Sequence, residues 1–237
     1  MTWSIVARDP SGAVGVAIAS KFFALGALCP WAASGVGAVA TQALCNPLFG
    51  PAALDAMRRG DAPDAIVREL TGSDPGREQR QLHLIDAAGR ISQHTGSQCI
   101  EWCGHRSGAG YSVAGNMLRG AEVLDATARR YEAEAETPFA LRLLRALRAG
   151  DDAGGDKRGK QAAALLVFST EVYPALDLRV DDHDEPLVEL ERLYWKSLER
   201  YQPFVACLPR ADSPGGVIDR AAIEAEIQRF HAAQTLR

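Results

Sequence analysis

The second residue of the chain is a threonine, in the opening run MTWSIVARDP. Initiator methionine is commonly removed before a small residue, and its removal would leave Thr2 with a free α-amine. That amine has an ordinary pKa of about 7.7 to 8.0, so near neutral pH part of it is unprotonated and able to take the proton of the same residue's hydroxyl. Nucleophile and base would then sit on one residue. The chemistry this implies is attack on a carbonyl followed by hydrolysis.

Local pattern places candidate helpers beside Thr2. Residues 3 to 8 and 13 to 20 read as strands joined by Asp9-Pro10-Ser11-Gly12, in which each residue favours a turn. If Gly12 forms the bulge of a three-residue loop, Asp9 faces Ala13 and each pair of partners sums to about 22. Thr2 then lies opposite Ser20, with Lys21 one step beyond. A nearby ammonium lowers the pKa of an α-amine and keeps it basic. Lys21 is therefore the candidate that tunes the amine, and Ser4 and Ser20 are candidates to position it. Thr41, Gln42, Asn46, His94, Thr95, Asn116 and Asp156 lie at strand ends or in loops beside glycine or proline. Buried polar side chains need partners, so each is either satisfied internally or faces a cavity, and as a set they are candidates for substrate binding. His94, followed by Thr95 and Gly96, is the foremost candidate outside the Thr2 group.

The elements that must hold these residues alternate in groups. A third strand is expected at 36 to 42, then a helix from Pro51 to near Gly60 and another from Pro63 to Leu70. QLHLIDAAGRISQHTG reads as a second hairpin turning at Gly89, and a strand at 111 to 116 leads into helices at 120 to 135 and 138 to 148. After a polar loop at 151 to 160 come strands at 162 to 168 and 175 to 181 and a helix at 187 to 201. Grouped strands and paired helices indicate an α+β protein rather than βαβ alternation. PRADSPGG at 209 to 216 reads as a linker, and Ile223, Ile227 and Phe230 give a terminal helix one apolar face.

Composition narrows the partners. The 237 residues are 47% hydrophobic and carry a net charge of -4, with no long basic run, which argues against nucleic-acid and anionic-membrane surfaces and for a small-molecule substrate. No charged residue occurs from Phe22 through Leu54, but this stretch is rich in alanine and glycine and broken by prolines, so no membrane span is expected. Arg8 and Asp9 interrupt any signal-peptide core, and five unevenly spread cysteines fit reduced thiols; the expectation is a cytoplasmic protein. A soluble homodimer is compatible with the terminal apolar face.

Three motif matches are set aside. GGDKRGK at 154 to 160 has Gln161 where a nucleotide-binding loop needs Ser or Thr, and it precedes a strand instead of following one. GVGAVA at 35 to 40 has its glycines inside a strand, where close backbone packing explains them better than dinucleotide binding. Cys99, Cys103 and His105, with His94 nearby, are too loosely spaced for a metal cage. No metal or other cofactor is expected.

The runs TWSIVARD, SKFFALGALCPWA, GVGAVATQA, NPLFGP, HTG, GNML, GGDKRGKQ and LDLRVDDH occur in this order. Together they resemble the bacterial and archaeal family with domain of unknown function 1028, whose fold is similar to the N-terminal-nucleophile (Ntn) hydrolases. The likeness runs from about Thr2 to the helix after His183. It implies a four-layer αββα sandwich of two antiparallel sheets over residues 1 to 205, with 206 to 237 as linker and terminal helix. It also implies amide-bond hydrolysis with Thr2 as the processed N-terminal nucleophile. The resemblance does not assign the oxyanion donors, for which Asn116, Thr41 and the backbone amides of GVGAVA are all candidates. The alternative is a non-catalytic binding protein on the same scaffold. The chain departs from the family pattern at Ala114, where glutamine is expected before GNM, and at Ala162, where serine is expected after the RGKQ run.

Overall fold

The computed structural model describes residues 2 to 235. They form two compact units, divided between Leu190 and Glu191. The first is an α+β unit with ten strands in two antiparallel sheets.

Strands β1 (Thr2–Arg8) and β2 (Val14–Ser20) form the first hairpin. Its turn is built as the residue types require: Asp9 accepts from the Ala13 amide at 3.0 Å and from the Ser11 hydroxyl at 2.6 Å, and Gly12 takes a φ of 94°. The register pairs Thr2 with Ser20 and Arg8 with Val14, the sum of 22 expected from the loop. β8 (Tyr111–Asn116) flanks β1 on its other side, and β7 (Gly104–Gly108), β9 (Ala162–Phe168) and β10 (Leu176–Val180) complete a sheet in the order β10-β9-β2-β1-β8-β7. The second sheet has the order β3-β4-β5-β6, from β3 (Pro30–Ala33), β4 (Gly37–Ala43), β5 (Arg80–Asp86) and β6 (Ile91–Thr95).

The facing sides of the sheets share one core, in which Val6, Val16 and Ile18 of the first meet Ala38, Ala40 and Ile85 of the second. Helices cover the other sides. α1 (Phe49–Arg58) and α2 (Pro63–Gly72) pack on the second sheet through Phe49, Leu54, Ile66 and Val67, against Val39, Leu82 and Leu84. α3 (Glu122–Ala133) and α4 (Phe139–Asp152) pack on the first, where the Trp3 indole donates to the Leu147 carbonyl at 3.1 Å. Leu141, Leu144 and Leu147 repeat every three residues and are buried, whereas Arg145 between them is exposed and Arg142 lies over the Tyr131 ring, 3.7 Å from its centroid.

Three expectations need correction. α1 begins at Phe49, two residues before Pro51, because the first turn needs no amide donors and proline is accommodated there. β3 and β7 were not expected from the pattern, and both are edge strands. At an edge Pro30 loses no ladder bond that the sheet requires, and the polar run GHRSG needs no apolar alternation. Of the GVGAVA glycines only Gly37 lies in a strand, held against the chain beside it, whereas Gly35 sits in the turn before β4 with a φ of 67°. A Cβ on Gly37 would stand 2.3 Å from the Ile85 carbonyl oxygen. Gly37→Ala is therefore expected to lower stability by about 1 to 3 kcal/mol, since backbone rather than a movable side chain must yield. Urea unfolding measures it, and an unchanged midpoint would mean the strands separate at no cost.

The boundary between the units falls within α5 (Pro186–Glu199). The second unit continues through α6 (Tyr201–Val205) and α7 (Arg220–Thr235), where both Arg200 Nη atoms donate to the Glu224 carboxylate, at 3.1 and 2.5 Å. Among the described residues no helix is long and apolar enough to cross a membrane.

Candidate functional site

Strand alternation sends Trp3, Ile5 and Ala7 toward the helices and Thr2, Ser4 and Val6 toward the opposite sheet. Antiparallel register then assembles polar side chains into rows. In the first sheet Ser20, Thr2 and Asn116 are cross-strand partners, and in the second Gln42, Gln81 and Thr95 are. One row deeper, Ser4 of the first sheet meets His83 of the second. All of these except Thr95 are buried.

The hydrogen bonds join into a directed chain. Gln93 Nε2 donates to Ser112 Oγ at 2.5 Å, and Ser112 Oγ is 2.9 Å from His83 Nδ1. His83 Nε2 is 2.8 Å from Ser4 Oγ, and that hydroxyl donates to Gln42 Oε1 at 2.6 Å. Because Ser4 spends its only proton on Gln42, His83 must donate from Nε2 and accept at Nδ1, which fixes a neutral tautomer. Gln42 Nε2 donates in turn to Gln81 Oε1 at 2.6 Å, where Asn116 Nδ2 also donates at 3.1 Å. Gln81 Nε2 closes the network on Thr95 Oγ1 and on the Gly104 and Gly115 carbonyls at 2.9 to 3.0 Å. Thr2 stands at the open end, its Oγ1 donating to Ser20 Oγ at 3.2 Å.

Burial, followed by the charge of His105, pushes the His83 pKa down to about 3. The unfolded chain holds the ordinary value of about 6.5, so between those values the unfolded state binds the extra proton and folding weakens as pH falls. The wild type is expected to lose about 1.4 kcal/mol per pH unit relative to His83→Gln below about pH 6. Denaturant unfolding of both proteins at a series of pH values measures the difference; parallel curves would mean that His83 titrates alike in both states.

Two cavities open beside Thr2. One of about 260 Å³ is lined by Thr2, Ser20 and Gln42 together with Leu25, Cys29 and Cys45. The other, of about 400 Å³, is lined by Asn116, Met117, Gln79, Gln98 and Ile100, and Ala43 and Leu44 border both. No charged side chain lines either one. Three non-glycine residues take left-handed backbone here: Ala43 (φ 66°) and Met117 (φ 54°) line the cavities, and Ala24 (φ 51°) precedes the lining residue Leu25. Such conformations cost energy and persist where surrounding structure enforces them, often around binding sites.

Of the residues singled out by sequence, Thr2, Ser4, Ser20, Gln42, Thr95 and Asn116 are brought together. Others are placed elsewhere. The Lys21 side chain is exposed and its ammonium lies 3.5 Å from the Lys160 carbonyl. Thr41 faces away from the facing sheets and donates to the Asn46 carbonyl at 3.0 Å, and Asn46 itself caps the Leu48 amide. His94 is bonded to the Arg77 carbonyl at 2.8 Å. Asp156 is buried and accepts from the amides of Arg158 at 2.8 Å and Lys21 at 3.3 Å, so it fixes the backbone that follows Ser20. Cys103 donates to the Cys99 carbonyl and His105 contacts Thr95; among the described residues no group of three or more metal-ligating side chains converges.

Gln81, His83, Ser112 and Gln93 escaped the sequence reading. Their signal was present in QLHLID, where polar residues alternate with leucines, but only the second sheet gives that polar side its partners. Ala114 and Ala162 pair with Ser4 and Ser20, so both departures from the family pattern fall among the rows of the site.

The model of a family of unknown function, DUF1028, matches residues 2–190. A crystal structure of a DUF1028 protein from Silicibacter pomeroyi is similar at a TM-score of 0.85 and 33% identity, covering 92% of this chain and 96% of that one. Anbu, an ancestral β-subunit from Yersinia bercovieri, aligns at a TM-score of 0.37 and 13% identity over 83% of this chain and 94% of its own. No curated protein matches the sequence.

Proposed function

Since the chain belongs to the DUF1028 family of unknown function, with the family model spanning residues 2–190, we propose that it is an Ntn-type amidohydrolase built on an αββα sandwich and acting on a small neutral amide. The observation that carries the reading is the position of Thr2: first residue of a central strand, buried between facing sheets, its hydroxyl on Ser20 and its side chain in a cavity wall. After removal of Met1, the Thr2 hydroxyl attacks the substrate carbonyl while the α-amine takes its proton. The same amine returns the proton to the leaving nitrogen, and water then releases the acyl group. Ser20 orients the hydroxyl, and Asn116 Nδ2, now given to Gln81, is the side-chain donor nearest in register to receive the oxyanion. Lys21 must leave the Lys160 carbonyl to lower the amine's pKa. The uncharged cavity walls support a neutral substrate, because a buried charge without a partner is costly.

A small molecule is thus the partner, with neither nucleic acid nor membrane involved, and a homodimer in the cytoplasm belongs to the same reading. Five free thiols support that compartment.

The test is the intact mass of the untagged protein, followed by a screen of small amides. Loss of one methionine with turnover supports the proposal; retained Met1 leaves the hydroxyl without its base and removes it. One observation favours a binding scaffold as the second reading: Ser4, Gln42, Gln81, His83 and Ser112 satisfy one another, as a structural network does. Thermal-shift screening against small amides, nucleobases and amino-acid derivatives separates the two, binding without turnover being the mark of the scaffold.

A further inference from the structure

Two cysteines share the cavity wall with Thr2. Cys29 and Cys45 have their sulfurs 3.9 Å apart, and both line the same space. Cys29 is held by backbone on both sides: its amide donates to the Leu25 carbonyl, and its carbonyl accepts from the Thr41 amide, each at 3.0 Å. Cys45 sits in the loop between β4 and α1, is the more exposed of the pair, and is flanked by exposed Leu44 and Leu48. One sulfur is anchored and the other rides on a surface loop.

We propose that Cys29 and Cys45 form an oxidant-sensitive dithiol that closes to a disulfide under a hydroperoxide and ties the 44 to 48 loop across the wall of the Thr2 cavity. A disulfide needs sulfurs about 2.05 Å apart, so closure requires a movement of about 2 Å. Side-chain rotation and the loop supply it.

The reaction balances with the hydroperoxide as oxidant. The Cys45 thiolate attacks the terminal oxygen, the O–O bond breaks, and the alkoxide or hydroxide that leaves takes up the proton shed by the thiol. Cys45 is then a sulfenic acid. The Cys29 sulfur attacks that sulfur, the S–O bond breaks, and the departing hydroxide takes the Cys29 proton to leave as water. Two thiols lose two electrons, and the hydroperoxide is reduced to an alcohol, or water, plus water.

The order of attack follows from the contacts. The Cys29 S–H donates to the Cys45 sulfur and holds the Cys45 thiol below its ordinary pKa, with Thr41 and then Arg80 acting in the same direction against burial. That same contact, and then burial, push Cys29 up. The thiol that ionises more readily is also the one nearer solvent. Cys99 and Cys103 offer an internal contrast, since burial raises the pKa of both.

The experiment treats the full chain with hydrogen peroxide, unfolds it in N-ethylmaleimide and maps the peptides. The expected result is two fewer labelled thiols, a peptide linking Cys29 to Cys45 that dithiothreitol releases, and amide exchange slowed several-fold across residues 44 to 48. In Cys29→Ser the same treatment should leave a sulfenic acid on Cys45 that dimedone traps. The proposal is overturned if all five thiols still label, if the link joins Cys99 to Cys103, or if wild-type Cys45 stops at the sulfenic acid. None of these readouts depends on amide hydrolysis, so the dithiol and the Thr2 chemistry stand or fall separately.

Discussion

Replacing Thr2 by alanine is expected to abolish amide turnover, by ~10³-fold or more, while the protein stays folded. The size follows from what the side chain supplies in the proposed reaction. Without the hydroxyl no acyl-enzyme forms, and the residual rate is what cavity binding alone provides. Stability should change little, because the Thr2 hydroxyl makes a single 3.2 Å bond to Ser20, worth about 1 kcal/mol. Thr2→Ser retains a hydroxyl on an N-terminal residue and should keep measurable activity. The assay pairs turnover on a panel of small neutral amides with acylation by a β-lactone, whose ring opens onto a nucleophilic hydroxyl. A mass adduct on the N-terminal peptide of the wild type, absent from Thr2→Ala, is the expected signature. Wild-type turnover in Thr2→Ala would end the amidohydrolase reading.

Gln81→Leu is expected to be the most destabilising single change in the interior, by about 4 kcal/mol, with a fall in melting temperature on the order of 10 °C. Gln81 is fully buried and its amide is the junction of the network. It accepts from Gln42 and Asn116 and donates to Thr95 and to the Gly104 and Gly115 carbonyls. Leucine would fill much of the same volume yet strand two buried donors and two carbonyls, each unsatisfied group costing about 1 to 3 kcal/mol. Gln81→Glu should fail as well, because a carboxylate cannot donate to the two carbonyls. The control is Gln93→Ala, at the half-buried start of the chain, where the loss should be smaller. Calorimetry of the three variants tests the ranking; a Gln81→Leu protein as stable as wild type would show that the network relaxes around the gap.

How much of this was legible beforehand depended on the range over which the information acts. The first hairpin was readable to within one residue at each strand start, since Asp9, Pro10, Ser11 and Gly12 specify a turn, and the three-residue loop, if formed, sets the register that pairs Thr2 with Ser20. Helices α3 and α4 were readable within a few residues, because their apolar faces repeat with helical period. β3 and β7 were not, since edge strands need neither alternation nor an apolar run. Among site residues, Thr41 and Gln42 carried equal weight in sequence, yet they are adjacent in one strand and must point to opposite sides. Gln42 meets Ser4, whereas Thr41 turns to Asn46.

The amino-acid sequence by itself determined the local geometry: the turn, the polar alternation in QLHLID, the order of strands and helices along the chain, and a threonine at the start of the first strand. Its ordered blocks also carried the family resemblance. Tertiary structure alone decided which polar residues meet. Ser4 and His83 are separated by 79 residues and Gln81 and Asn116 by 35, and each pair is joined only when the two sheets face each other. A strand pattern states which residues share a side, but its partner on that side lies far along the chain. Burial then makes the pairing obligatory, because a polar group closed off from water must be satisfied by whatever the opposite sheet presents.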